Sequence, residues 1–230
     1  MIGFVPWSCA GEAALSTLDT PKRVAGKRVR EQERRRQAIL DAAFVQFTSE
    51  GFAATRLDAV ADAAGVAKGT IYLFFKDKED LFEKTVLAAI GPTLSNLDSV
   101  VARADLPFPQ LLGQLSDLFR REILETKRRE IVRLVIAEGA RFPGIAEFYH
   151  REVISRGLSI IRKAAQRAQD NGELPSDALV RFPQLLFAPM LISIIWSCVF
   201  TQHEPLDVEG MLAAHRDLLL GVPHDGSAKP

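Results

Sequence analysis

Cysteine is almost missing from this chain: Cys9 and Cys198 are its two examples in 230 residues, far apart and in segments of different character. That excludes a disulfide framework and any paired-cysteine zinc site, and it fits a reducing cytoplasm. Cys198 reads as a small buried hydrophobe. The four histidines, His150, His203, His215 and His224, form no HxxxH, HxH or HExxH pattern. There is no glycine-rich phosphate loop and no G-x-S-x-G elbow either. A helical enzyme would need a convergent nucleophile, base or metal set. None is legible, so the expectation is a protein with no catalytic residues, no metal and no cofactor.

Strand patterns of useful length are also lacking, and so is a membrane span. Leu185 to Phe200 is a 16-residue stretch without charge, and it contains Pro189 and two serines. A spanning helix needs ~20 apolar residues, so this run is expected to lie between helical layers or across a dimer interface. Residues 1–26 mix Gly, Pro, Ser and Ala without period and lack a cationic start followed by an apolar core. They read as a disordered tail rather than a signal peptide, and a mis-assigned upstream start accounts for them equally well.

Net charge is missing too, but its distribution is uneven. Formal charge is zero overall, yet Lys22, Arg23, Lys27, Arg28, Arg30, Arg34, Arg35 and Arg36 face only Glu31 and Glu33 within one short stretch. That stretch carries +6 and the remainder −6. The local excess points to a polyanion contact; a solvated charge run is the bland alternative. The cluster opens a helix expected over 29–50, where the macrodipole would favour acids. A placement that local electrostatics disfavours suggests a requirement outside the chain.

What is present is helical period. Ile39, Ala43 and Phe47 form an i, i+4 row with Leu40 and Phe44 beside it, and Gly51 is the expected stop. A second helix is expected from Thr55, with Asp58 three residues on as a weak capping box. Its apolar face is Leu57, Val60, Ala61 and Ala64, and Gly65 ends it. Val66 plugs the turn, and a third helix follows from about Ala67 to Phe74. This is the helix-turn-helix layout, whose second helix enters a DNA major groove. Asp77 can cap a fourth helix, in which Gly91-Pro92 marks a kink or an end. Further helices are expected over 108–125, 128–140, 143–170 (stopped by Asn171-Gly172), 176–202 with Ser176 as cap, and 208–220.

Residues 36–86 closely resemble the DNA-binding domain of the TetR family of transcriptional regulators. The resemblance is carried by Ile39-Leu40-Asp41-Ala42-Ala43, Phe47, Gly51-Phe52, Thr55, Val60-Ala61, Ala64-Gly65-Val66, Lys68-Gly69-Thr70-Ile71-Tyr72, Phe75, Lys76, Lys78 and Leu81. The segment RLVIAEGARFPGIAEFYHREV, residues 133–153, is similar to the ligand domain of AefR-type members. The implied fold is all-α: a three-helix helix-turn-helix domain over 27–90, then a helical-bundle ligand-binding and dimerisation domain over 91–221, with a flexible tail at 222–230.

The resemblance further implies a cytoplasmic homodimer joined through the last two helices. Its partners would be a palindromic double-stranded operator and a small apolar or aromatic effector. The implied DNA-contacting residues are Arg34, Arg35, Arg36, Thr55, Arg56, Lys68, Gly69, Thr70, Tyr72, Lys76 and Lys78. Their chemistry agrees: Lys68 can reach a phosphate or a guanine edge, Gly69 permits close backbone approach, and the hydroxyls of Thr70 and Tyr72 suit phosphate oxygens. Ile71 and Phe75 should pack inward. Two positions depart from the family. Ala67 stands where a capping Ser or Thr is common, and Phe74 replaces a frequent His or Tyr. Leu73 and Phe74 can meet thymine methyls or simply pack, with packing favoured for Phe74. For the effector pocket the candidates are Phe119, Ile123, Arg141, Phe142, Phe148, Tyr149, Phe187 and Trp196. Core packing explains each aromatic taken alone, and a solvated helix face explains Arg141 and His150.

Overall fold

The computed structural model describes residues 20–103 and 106–222, with side chains described from residue 27. All regular structure among the described residues is helical, in the order α1 Thr20–Ala54, α2 Leu57–Ala64, α3 Lys68–Ile71, α4 Lys78–Val101, α5 Phe108–Phe119, α6 Arg129–Glu138, α7 Pro143–Tyr149, α8 Ser155–Asp170, α9 Ala178–Arg181, α10 Gln184–Val199 and α11 Val208–Leu220. Two wider π turns, Arg120–Leu124 and His150–Ile154, extend α5 and join α7 to α8. The expected tail over 1–26 lies outside the described residues up to position 19, and the one over 222–230 from position 223. The side chains of Lys22 and Arg23 lie outside them as well, while Lys27 is exposed.

Helix α1 differs from its expected form at both ends. It begins at Thr20 rather than Val29, and it continues past Gly51 to Ala54. Gly51 does not stop it but kinks it, at φ 81° and ψ 167°. Only glycine occupies that backbone region at ordinary cost. The apolar row then docks as the period required: Ile39, Ala43 and Phe47 are fully buried. Phe47 and Phe52 set their rings edge-on to Phe82 of α4, at 5.3 and 5.4 Å between centroids. Ile71 and Phe75 close this core from α3, both buried.

Helix α2 starts two residues later than expected. Arg56 is its N-cap, with no side-chain cap bond. Gly65 ends it in the left-handed region at φ 66°, the conformation a glycine stop provides. The Asp77 side chain accepts from the Asp80 amide at 2.8 Å and caps α4 as anticipated. Helix α4 runs through Gly91-Pro92 without ending. Proline there withholds one backbone donor, and next to that gap Arg128 Nε donates to the Ala89 carbonyl at 2.7 Å.

The expected single helix over 176–202 is two. Phe182, forced out of helical dihedrals by Pro183, breaks α9 from α10 with φ −128° and ψ 70°. Ser176 is not the N-cap: that place belongs to Asp177, which makes no side-chain cap bond, and α10 stops at Val199. Helix α11 matches its expected span and is capped by Asp207, which accepts from the Gly210 amide at 2.9 Å. Cys198 is exposed, not buried. Among the described residues no helix is long and apolar enough to cross a membrane.

His215 fastens α11 to the start of α10, its Nε2 sitting 2.8 Å from the Leu185 carbonyl and therefore carrying the proton. Burial lowers the pKa of its imidazole below the ordinary histidine value, the bond to Leu185 opposing in part. The neutral ring is thus favoured in the folded chain. Its stabilising effect is complete above the unfolded value, about 6.5, and is lost as pH falls from there through the lower folded value. Thermal melts of the wild type should therefore drop as pH falls below about 6.5, and His215→Gln should flatten that part of the profile.

Candidate nucleic-acid interface

The tight α2–α3 turn sets one face of the head outward. Tyr72 is 52% and Leu73 81% exposed, while Ile71 between the helices is fully buried. Phe74 packs half-buried on the core with its ring 6.3 Å from Phe75, as favoured from sequence. Ala67 caps α3 without a side-chain bond, consistent with a local cost of about 1 kcal/mol. Beyond Ile71 the chain keeps turning through Phe74, with Phe74 N bonded to Ile71 O at 3.0 Å and Leu73 N to Thr70 O at 3.2 Å.

Gly69 carries a clear signal. A Cβ built there would meet nothing within 4 Å, so no packing within the subunit requires glycine at that position. Glycine inside a helix costs roughly 0.8–1.0 kcal/mol against alanine, and packing among the described residues does not account for that cost.

Lys68 Nζ sits 2.8 Å from Asp58 Oδ1, and Arg56 Nη2 lies 3.6 Å from Asp58 Oδ2. The Lys68 ammonium, chiefly through that hydrogen bond, lowers the Asp58 pKa and has its own raised in return. Asp58 therefore gathers two exposed cations beside Gly69 and Tyr72, a role that the capping-box reading of Asp58 missed. Lys76 is exposed nearby, with Asp77 at the 4.0 Å limit of an ion pair.

Five of the expected contact residues are engaged inside the subunit. Thr55 is only 3% exposed, and its hydroxyl donates to Gly51 O at 2.7 Å and to Gln46 O at 3.1 Å. It braces the α1 kink and is withdrawn from the DNA-contacting set. Lys78 is half-buried: its Nζ donates to Ala53 O at 3.0 Å and lies 4.8 Å above the Phe52 ring. Burial lowers its pKa, and two of its three donors remain for another partner. Arg34 and Arg35 pair with Glu31, and Arg36 with Glu33. Successive residues on a helix diverge by about 100°, so these three arginines cannot all face one surface.

Behind the head lies a chamber of about 420 Å³, enclosed by α4, α5, the two π turns, α8 and α10. Of the eight pocket candidates, Phe119, Ile123, Tyr149 and Phe187 line it. The other four do not. Phe142 packs edge-on to Phe52 at 5.1 Å, against the head; Arg141 is exposed, 5.3 Å from the Phe142 ring. Phe148 is buried in the core. Trp196 donates to Glu204 O at 2.7 Å and leans on Phe200. His150 is exposed, as a solvated face required. The remaining wall is mostly aliphatic, from Ile90, Leu94 and Leu97 of α4 to Met190 and Ile194 of α10.

Two struts connect chamber and head. Helix α4 carries Phe82 in the head core and Ile90, Leu94 and Leu97 in the chamber wall. Helix α6, whose Val132 lines the chamber, ends at Glu138, which accepts from the Phe52 amide at 2.9 Å and the Ala53 amide at 3.1 Å. Arg133, also on α6, donates to Thr48 O at 3.3 Å. The second strut was not foreseen.

An outward, cation-flanked helix-turn-helix joined to a hollow helical body defines a DNA-binding regulator. The comparisons with known proteins agree. Residues 39–85 match the model of bacterial regulatory proteins of the tetR family, and residues 110–215 match the tetracyclin repressor-like C-terminal domain. The HTH-type transcriptional regulator YhgD of Bacillus subtilis (strain 168) is 32% identical over 180 residues, covering 76% of this chain and 89% of that protein. AcrR of Shigella flexneri is 26% identical over 184 residues, covering 77% and 84%. Among solved structures, a TetR-family transcriptional regulator from Mesorhizobium loti MAFF303099 superposes with a TM-score of 0.68 at 22% identity, covering 83% of this chain and 97% of that one. Bacillus subtilis FadR, solved in complex with stearoyl-CoA, gives 0.66 at 20% identity, covering 82% and 99%. The chain belongs to the TetR family of transcriptional regulators.

Proposed function

We propose that this regulator is a cytoplasmic homodimeric repressor that binds an inverted-repeat operator and is released by a small apolar effector held in the 420 Å³ chamber. The observation that carries the reading is the outward face from Lys68 to Leu73, with a glycine at its centre that internal packing does not require. On this reading Lys68, Thr70 and Tyr72 meet phosphates or base edges, and the exposed Leu73 meets a thymine methyl. Arg56, Lys76 and Lys78 supply backbone contacts, together with whichever of Arg34, Arg35 and Arg36 the α1 face turns to the duplex. The ion pairs of Arg34 to Arg36 are solvent-exposed and screened, so exchanging them for phosphates is inexpensive. The effector acts through its different affinity for two states of the dimer, and α4 and α6 carry the difference to the head.

Titration of the full chain onto DNA containing its own promoter region tests this. Steep salt dependence is expected. Lys68→Ala combined with Tyr72→Ala should weaken the complex about 100-fold or more with circular dichroism unchanged, two lost contacts at ~1–3 kcal/mol each. Wild-type affinity in that double variant would reject α3 as the reading helix.

A further inference from the structure

We infer that the chamber's occupant is an electrically neutral, lipid-like molecule whose polar group is a hydroxyl or carbonyl, received by the Tyr149 hydroxyl. This rests on the reading of the chamber as the effector site and narrows it to a chemical class.

The wall supplies the first observation. Not one of its residues is Asp, Glu, Lys, Arg or His; Thr93, Tyr149 and Gln184 are its polar members. Its volume of about 420 Å³ equals some fourteen waters at ~30 Å³ each and falls within the range of drug-sized ligand sites. An ionised carboxylate or phosphate placed inside would lose its hydration and find no cation in exchange.

The rim supplies the second. The exposed members of the lining are Ile154, Gln184, Ala188 and Leu191, at the start of α8 and along α10. They frame the opening with carbon and one neutral amide, so a charged head left at the mouth is not matched by a lining cation either.

Tyr149 supplies the third. It is 7% exposed, lines the chamber, and its hydroxyl has no hydrogen-bond partner among the described residues. Burial pushes the phenol's pKa well up, so it stays neutral and can both donate and accept. A hydroxyl without a partner in so apolar a setting carries a desolvation cost that a ligand hydroxyl or carbonyl would relieve. The Thr93 hydroxyl on α4 is fully buried and also unpartnered. Both groups are neutral, which selects a neutral complement.

The test uses matched pairs that differ only in their head group: 1-tetradecanol against tetradecanoate, and retinol against retinoate. Binding to the full chain is followed by thermal shift and by tryptophan fluorescence at pH 7.5. At least one alcohol should bind ten-fold or more tightly than its acid. Tyr149→Phe should cost that alcohol about ten-fold while leaving the binding of tetradecane, which has no polar group, unchanged. A general loosening of the fold would weaken all of these probes together. An acid that binds as tightly as its alcohol overturns the neutral-head inference and leaves the chamber as the effector site. Failure of every probe, with promoter binding intact, overturns both.

Discussion

Gly51→Ala should lower the melting temperature by about 10 °C. The residue sits at φ 81° and ψ 167°, a region whose strain costs side-chain-bearing residues about 1–3 kcal/mol. The new Cβ would also fall inside the contact radius of Glu138 Oε1. That oxygen would have to leave the Phe52 amide it accepts from at 2.9 Å. Hydrogen bonds to a charged group contribute about 1.5–3 kcal/mol each, so strain and lost clasp together reach roughly 3–6 kcal/mol. For a chain of this size 1 kcal/mol moves the midpoint by about 2–4 °C.

Glu138→Ala alone should cost about half as much, since it removes the acceptor of two amides without straining the kink. The combined variant should lose less than the sum of the two, because removing the carboxylate also removes the clash. Hydrogen exchange at the Phe52 and Ala53 amides should quicken in both single variants. A Gly51→Ala melt within 2 °C of wild type would remove the kink and its clasp as a structural joint between head and body.

How the sequence could and could not reveal this follows from range. The head was legible because its determinants are local: the Ile39, Ala43, Phe47 row, the left-handed Gly65 and the Asp77 cap each act within one helical turn. The buried Ile71 and Phe75, four apart, followed from the same spacing, and the outward Tyr72 was implied by the family resemblance. Thr55 was misread because a hydroxyl three residues before an acid looks like a cap, whereas its real partners, Gln46 and Gly51, lie behind it on α1. Glu138 could not be singled out, since its partner Phe52 is 86 residues away and no period marks such a bond. The chamber was half legible. A cavity is the space that facing helices leave between them, and one chain's pattern shows apolar faces but not which of them meet. Aromatics therefore drew attention while the aliphatic wall from α4 and α10 was overlooked, and Phe142 proved to belong to the head contact instead.

The apolar run over 185–200 leads to the other large effect. Helix α10 is too short to span a membrane, yet it leaves Ile192 and Val199 substantially exposed, with Phe200 just beyond its end, and Leu218 of α11 is 78% exposed. Exposed apolar side chains of this size suit an interface, and in the proposed homodimer a second copy of the same face would cover them by two-fold symmetry. Introducing Ile192→Asp with Leu218→Asp would bury four carboxylates per dimer with no countercharge, a cost of several kcal/mol per ion. The double variant should sediment at the 25.4 kDa of one chain where the wild type sediments at about twice that. Operator binding should fall much further than any single contact could account for. Joining two heads makes the second half-site encounter intramolecular, and avidity of this kind is typically worth 10²–10⁴-fold. Both positions are solvent-exposed in the subunit, so the head stays intact. The variant should bind an isolated half-site as well as one wild-type head does, which separates lost dimerisation from a damaged reading helix. A double variant that remains dimeric would move the interface away from α10 and α11, and retention of full operator affinity by a true monomer would show that one head suffices.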